Sequence, residues 1–510
     1  MKLQRLNQCL YKSGRLVFLL PLLFVLPSNG QALMEHKLLA SDAAQEQFFG
    51  SAVSLSGDRL LVGADGQDVQ RLRTPGTAYI FERQGNGSWA EVAMFRHEAA
   101  AFGDLFGTAA ALEGDRAIVG APLRFSNGVK TGEVFVFERQ NDGIWAQVAS
   151  LLASDGASDD GLGGRSISLS GDRVLIGANA HAHGATASGA AYIFERQSDG
   201  TWLETAELLP ADIAAFSNVG LSVALDGERA VVGAPFAAYI FELQGENWVE
   251  VDKIAPENPQ NSFGVSVAVR GDRIAVGANT ATVNGILTGT AYIFDRQANG
   301  TWTETTELRP DDPTFTQHFG FRVLLSEHRA LISSWRDPLM GESVGSAYVF
   351  LRSANGKWAQ EVKLTASDGG SNDTFGASAA ISGNRVVLGA SKANDFGSQS
   401  GAAYLYDLTP VSVANEQELP QAGGFSLSQP YPNPFYSSTQ FSLTVEAPQH
   451  IAIEVFNVLG QRIQVLQNGH MPAAAKYDFE FNRKALPAGM YFVRITGEHF
   501  AVTRLITRMR

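Results

Sequence analysis

Apolar and polar residues alternate in short runs along most of the chain, and the runs recur on a nearly fixed period. From Gly50 to Ala64 the chain reads GSAVSLSGDRLLVGA, an alternating strand, a tight turn and a second apolar strand ending in Gly-Ala. A longer loop follows, then TAYIFER from Thr77, another turn, and a strand opened by tryptophan, WAEVAMF from Trp89. Period-two alternation bounded by Gly, Asp and Asn predicts four short antiparallel strands per unit. An FG-like pair leads each unit: Phe49-Gly50, Phe106-Gly107, Leu162-Gly163, Val219-Gly220, Phe263-Gly264, Phe319-Gly320 and Phe375-Gly376. The spacings are 57, 56, 57, 44, 56 and 56 residues. The turn at Ser56 (SGDR) returns as SGDR at Ser170, DGER at Asp226, RGDR at Arg270 and SGNR at Ser382. Seven such units in series predict an all-β, seven-bladed β-propeller.

The ends of the array predict how the ring is completed. Six units supply the fourth-strand tryptophan, at Trp89, Trp145, Trp202, Trp248, Trp302 and Trp358. The seventh stops after its third strand, AAYLYDL, at Leu408. Near the N-terminus, EHKLLASD from Glu35 matches EVKLTASD from Glu361, the fourth strand of the sixth unit. The N-terminal strand is therefore expected to finish the last blade, which removes an open sheet edge.

The FG pairs, Gly120-Ala121-Pro122, Gly233-Ala234-Pro235 and the Ala-Tyr-Ile-Phe strands resemble FG-GAP repeats, the unit of the integrin α-chain propeller, over residues 33–408. The repeats are similar to bacterial FG-GAP forms with SGDR-type turns. Calcium-binding units of that family carry a D-x-D/N-x-D-G loop between the first two strands. Here a four-residue turn stands in that place in every blade, so calcium is not expected there.

The first-to-second and third-to-fourth turns share one face and are short and uniform. The second-to-third loops and the inter-blade connections share the other face and differ from blade to blade, which points to recognition there. The resemblance makes this the ligand-facing side as well. Its candidate binding residues are Trp335 and Arg336, which stand outside the repeated tryptophan pattern just past Ser333-Ser334, with Arg124 and His183. A surface Trp-Arg pair suits a binding anchor, though a large aromatic also fills space. His181 and His183 form H-A-H without a third ligand in view, so no metal site is assigned. Acidic connections at Asp155, Asp159, Asp160, Asp368 and Asp373 are the one place where calcium would fit, and a solvated acidic rim accounts for them more simply.

Composition narrows the function. The chain has 510 residues, 45% hydrophobic and 18% charged, enough for a large core. Its net charge is −13, with +4 in residues 1–32 and +3 in 431–510, leaving about −20 for the stretch between. So acidic a body argues against nucleic acid as a partner. No H-E-x-x-H or P-loop is present, and no catalytic residue or cofactor is assigned. Lys2, Arg5, Lys12 and Arg15 precede an apolar run from Leu16 to Leu26, with Gly30 and Ala32 placed for cleavage. Residues 1–32 thus read as a secretory signal peptide. The one cysteine, Cys9, lies inside it, and no other stretch is long and apolar enough to span a bilayer.

After a polar linker (409–427), residues 428–510 read as a small Ig-like β-sandwich. The ordered motifs YPNPF, VFNVLGQ and LPAGMYFVR resemble the type A sorting domain of type IX secretion. That resemblance implies the type IX machinery as a partner, and passage through the periplasm to the cell surface or the medium. The reading is an exported, monomeric, non-enzymatic propeller that binds an extracellular protein or glycan. The alternative is an enzyme acting on extracellular polysaccharide with carboxylates on the variable face.

Overall fold

The computed structural model describes residues 23–25, 33–66, 75–97, 101, 103–126, 128–183, 186–214, 217–256, 262–283, 285–339, 342–408, 425–428, 430, 435, 438–457, 462–473, 476–482, 489–497 and 501–508. Most of the leader, the linker to residue 424 and parts of the three tail motifs lie outside them. The chain divides between residues 411 and 412 into two compact units.

In the first unit each repeat forms one antiparallel sheet. Blade 1 comprises Phe49–Ser56, Arg59–Ala64, Thr77–Arg83 and Trp89–Phe95, here called inner, second, third and outer strands. Blades 2 to 6 repeat it, with inner strands at Ala110–Glu113, Ile167–Ser170, Ser222–Asp226, Phe263–Arg270 and Val323–Leu325. Blade 7 comprises Ser378–Ser382, Arg385–Ala390 and Ala402–Asp407, and its outer strand is Leu33–Leu38. The register sets Glu35 opposite Tyr406 and Lys37 opposite Tyr404. Leu23–Val25, from the apolar leader, pairs outside it as a fifth strand that cleavage after Ala32 would remove.

The FG pair does two jobs. Its phenylalanine is fully buried against the third strand, as Phe49 is on Tyr79 and Phe81 at 5.4 and 6.0 Å between ring centres. Its glycine has positive φ (+91° at Gly50) and lies where a side chain would overlap the Ala402 carbonyl of the preceding blade. The residue before the pair is left-handed in every blade, from Phe48 through Gly161 to Thr374. That strain is held by the surrounding packing. Blade 7 meets blade 1 through the same parallel bridge, Gly401 to Phe49, that joins blades 1 and 2 at Gly76 and Phe106.

On the short-turn face the repeated arginine is more than a turn residue. Arg59 Nε donates to Glu82 of its own blade at 2.8 Å, while its Nη1 reaches Gly114 O of the next blade at 3.1 Å. Arg116 does the same with Glu138 and Gly171 O, and Arg385 reaches Gly57 O across the seam. Arg116, Arg229 and Arg273 also lie 5.0–5.6 Å over Trp202, Trp302 and Trp358, the outer-strand tryptophans of the following blades. These tryptophans, Trp302 buried and Trp202 and Trp358 partly so, are thus lids on an arginine belt.

The second unit holds a three-stranded sheet (Phe425–Leu427, Ser438–Val445, Lys476–Asn482) and a four-stranded one (Arg462–Met471, Gln449–Asn457, Gly489–Thr496, Ala501–Arg508). They share one core, in which Phe441, Leu443 and Phe481 meet Ile453, Val493 and Ile506.

The seam depends on residues 33–38. Glu35 is buried, accepts from Ser367 N, Ser367 Oγ and Tyr406 Oη, and is pushed up in pKa by burial. The same serine–glutamate grip recurs at Ser41–Glu91 and Ser154–Glu204. Deleting 33–38 loses the burial of Leu33 and Leu38 alone, about 3–6 kcal/mol, and bares the edge of strand 402–407. We expect a large drop in Tm by calorimetry and self-association by light scattering; an unchanged monomer with unchanged Tm would refute the closure.

Candidate binding face and axial channel

The second-to-third connections look unrelated in sequence, yet four take one shape. Blades 2, 3, 5 and 6 carry two-residue-arm hairpins at 125–126/129–130, 182–183/186–187, 282–283/286–287 and 338–339/342–343. Blade 4 turns through Pro235 and Phe236, and Phe236 is exposed with φ +88°. The face therefore varies in side chains more than in backbone.

The four candidates separate on this face. Arg124 is half-buried and turned inward, with Nη1 3.2 Å from Asp104 Oδ2 and Nε 3.6 Å from Glu133 Oε2. Asp104 is itself buried, capping its loop by accepting from Ala101 N, so it needs a cation. Arg124 is thereby occupied as a counter-charge and not held out to a partner. His183 sits on the blade 3 hairpin, and its side chain lies outside the described part of the structure. Trp335 is half-buried and Arg336 exposed at the end of the blade 6 second strand. The Arg336 guanidinium lies 4.5 Å from the Trp335 ring centre, and Phe321 and His318 flank the indole at 5.6 and 5.9 Å. Phe321 in turn carries the Arg322 guanidinium at 5.3 Å. A cation–aromatic–aromatic–cation ladder thus runs from the face to the axis.

Arg322 opens onto the axial channel, a space of about 310 Å³ walled by the inner strands of all blades. Three residues past the FG phenylalanine position, five blades carry Ala52, Ala109, Ser222, Ser266 and Ser378, while blades 3 and 6 carry Arg165 and Arg322. Among the described residues lining the channel, these arginines are the only charged ones. The serines already serve the frame: Ser222 and Ser378 Oγ donate to Gly264 O and Gly50 O of the next blade. Burial, and after it the charge of Arg165, pulls the Arg322 guanidinium down to about 10. Asp65, at the end of the blade 1 second strand, is pushed up by burial to about 6.

The acidic connections are largely self-satisfied. Asp368 takes Tyr404 Oη at 2.8 Å and Lys37 Nζ at 2.6 Å, and Lys37 also binds Asp395. Asp373 accepts from Gly370 N, and Asp159 pairs with Lys130 at 2.8 Å. Between the first two strands the turns are two residues long in six blades and three in blade 6, at Ser326–His328.

The model of the FG-GAP repeat matches residues 34–81, 89–137, 145–194, 202–241, 248–294, 302–350 and 358–406, seven matches for seven blades. The chain belongs to the FG-GAP repeat family. Each family match after the first begins at an outer-strand tryptophan, so a sequence repeat straddles two blades, which is why the N-terminal strand is needed at the end of the ring. Residues 429–508 match a secretion system C-terminal sorting domain, the address for type IX export to the cell surface or beyond. No curated protein sequence matches this FG-GAP chain. Two crystal structures of putative 6-phosphogluconolactonases, from Bacteroides fragilis and Bacteroides uniformis, are similar at 12% identity with TM-scores of 0.45 and 0.44. They cover 67% of this chain and 89% and 90% of their own. A fungal alcohol oxidase of the AA5 family in complex with copper is similar at 11% identity and a TM-score of 0.43, over 92% of this chain and 98% of that one. At such identities no activity passes from them to this chain. Among the described residues, no helix is long and apolar enough to cross a membrane.

Two outcomes follow. Arg165→Ser restores the side chain of blades 4, 5 and 7 and removes like-charge repulsion, so Tm should rise by about 1–3 °C at low ionic strength and less at high salt. Calorimetry at two salt concentrations checks it; a fall in Tm would mean Arg165 supports the frame. Removing 429–508 should leave the propeller folded but confined to the periplasm, read by fractionation and immunoblot; normal surface amounts would refute the export role.

Proposed function

We propose that this exported FG-GAP propeller is a binding module that engages an acidic group of an extracellular glycan at the channel mouth. The observation that carries the reading is the charge contrast. A body with about −20 net charge lines its axis with two arginines and no carboxylate. Like charges held near one another are costly, and charged groups perturbed in this way cluster at functional sites. The ladder Arg336–Trp335–Phe321–Arg322 adds aromatic faces for sugar C–H groups beside guanidinium forks for a carboxylate or sulfate. A 310 Å³ space sits at the lower end of small-ligand sites, which run from about 300 to 1,000 Å³. The acidic exterior repels polyanions at large, so the reading favours one acidic sugar at a chain end. Asp65 is the one carboxylate with a strongly raised pKa near the mouth, and hydrolysis would need a second carboxylate beside it. We therefore read binding, in an adhesive or scaffolding role, and not cleavage.

A glycan array with uronate- and sulfate-bearing chains beside neutral ones tests this. Acidic glycans should bind and weaken with salt. Arg322→Ser or Trp335→Ala should each cost at least about 2 kcal/mol, roughly thirtyfold in affinity. Retention of neutral sugars only, or of acidic peptides only, would overturn the glycan reading, and binding unaffected by both variants would move the site elsewhere.

A further inference from the structure

Three blades place a lysine at one register of the outer strand. Lys253, Lys363 and Lys37 stand opposite Tyr239, Tyr348 and Tyr404 across the third and outer strands. Each Nζ lies 5.1–5.3 Å from that tyrosine ring centre. Each also binds an aspartate from the connection entering the blade: Asp212 at 2.5 Å, Asp312 at 2.6 Å, Asp368 at 2.6 Å. The frame thus has a standing place for a positive charge between tyrosine and aspartate.

Blade 3 keeps the tyrosine and the aspartate but reverses the third partner. Tyr192 Oη donates to Asp155 Oδ1 at 2.9 Å, and the residue opposite Tyr192 is Glu207. Two carboxylates now share the place that a cation fills in blades 4, 6 and 7. His181 closes the group from the second-to-third connection. Its Nε2 is 3.4 Å from Asp155 Oδ2 and 3.8 Å from Glu207 Oε1. The donor atoms of all three residues lie within 4.8 Å of one another.

The imidazole is held for this. His181 is 3% exposed, and its Nδ1 is 2.9 Å from Oδ2 of Asp160, which is 2% exposed and also accepts from Ala157 N. A buried carboxylate on Nδ1 holds the proton there and directs the Nε2 lone pair at the two carboxylates, the arrangement that supports metal-bound histidines. Three lone pairs converging in this way can be met by one bridging cation. Around an ion with bonds of about 2.0–2.1 Å, tetrahedral donors lie about 3.3–3.4 Å apart, close to the histidine–aspartate separation. One imidazole and two carboxylates suit zinc or a similar transition ion. Calcium would ask for six to eight oxygens.

We infer that Asp155, His181 and Glu207 form a divalent transition-metal site on the rim of blade 3, with Asp160 orienting the histidine. Asp155 and Glu207 keep 45% and 26% of their side chains exposed, so the ion has a route in and a coordination position toward solvent. The site is separate from the family's calcium loop between the first two strands, and it does not depend on the glycan reading.

Zinc chloride alone, titrated by calorimetry into chelator-treated mature full-length protein, tests the site. One equivalent should bind with a Kd of micromolar or below and raise Tm, and cobalt should give the visible spectrum of a four-coordinate ion. Glu207→Gln should weaken binding at least tenfold. Glu207→Lys copies the lysine of blades 4, 6 and 7, so it should fold with Tm unchanged or higher and lose the site. Zinc binding in Glu207→Lys equal to that of the parent would overturn the proposal, as would calcium binding more tightly than zinc. A parent that binds no zinc at neutral pH would overturn it as well.

Discussion

Neighbouring blades approach one another backbone to backbone through paired glycines, and the ring is built to the tolerance of that approach. The second-strand glycine of one blade lies against the carbonyl of the FG glycine of the next, at Gly63–Gly107, Gly120–Gly163, Gly177–Gly220, Gly233–Gly264, Gly277–Gly320 and Gly389–Gly50. A methyl group at any of the first members would overlap that oxygen. This approach sets the distance between inner strands, and with it the channel width and the depth to which the FG phenylalanines are buried. The junction from blade 6 to blade 7 departs from the rule. Ser333 stands there, and its Oγ accepts from Arg322 N at 3.1 Å. The irregular junction is the one that carries Arg322, Phe321 and Trp335, so the place where the frame relaxes is also where the candidate site lies.

The frame was legible because it is repeated. Seven FG pairs on one period, the missing seventh tryptophan and the match between Glu35–Asp42 and Glu361–Asp368 each reported the ring through local pattern. The belt of arginines was half legible. Its recurrence showed a turn, but reaching Glu82 within the blade and Gly114 O in the next is a matter of three dimensions.

The site was legible only in part, for a physical reason. Trp335 and Arg336 broke the pattern visibly, whereas Arg124 did too and proved to be neutralised by Asp104, 20 residues away. Charge pairing across that separation leaves no local mark. Arg165 and Arg322 went unremarked in the sequence, because their meeting on the axis follows only from blades three apart in sequence facing one channel. His181 drew notice for its neighbour His183, while its real partners, Asp155, Asp160 and Glu207, come from a connection and an outer strand. Glu207 gains meaning only once strand register sets it where other blades hold lysine.

The shared blade has a further consequence, for the order in which the molecule is made. Glu35 and Tyr406, bonded in the native state, are separated by 371 positions. The equilibrium cost of so long a closure grows only logarithmically, by about 0.6 kcal/mol per doubling, but its timing is severe. The strand that precedes the ring in sequence is seated last, because its place beside strand 402–407 does not exist until blade 7 does. The sorting segment is translated after that blade. A chain cut short anywhere in the propeller therefore lacks both its closure and its address, so only chains carrying every piece of the ring reach the outer machinery. Because the address follows blade 7, it is carried only by chains that also carry the strand on which residues 33–38 are seated.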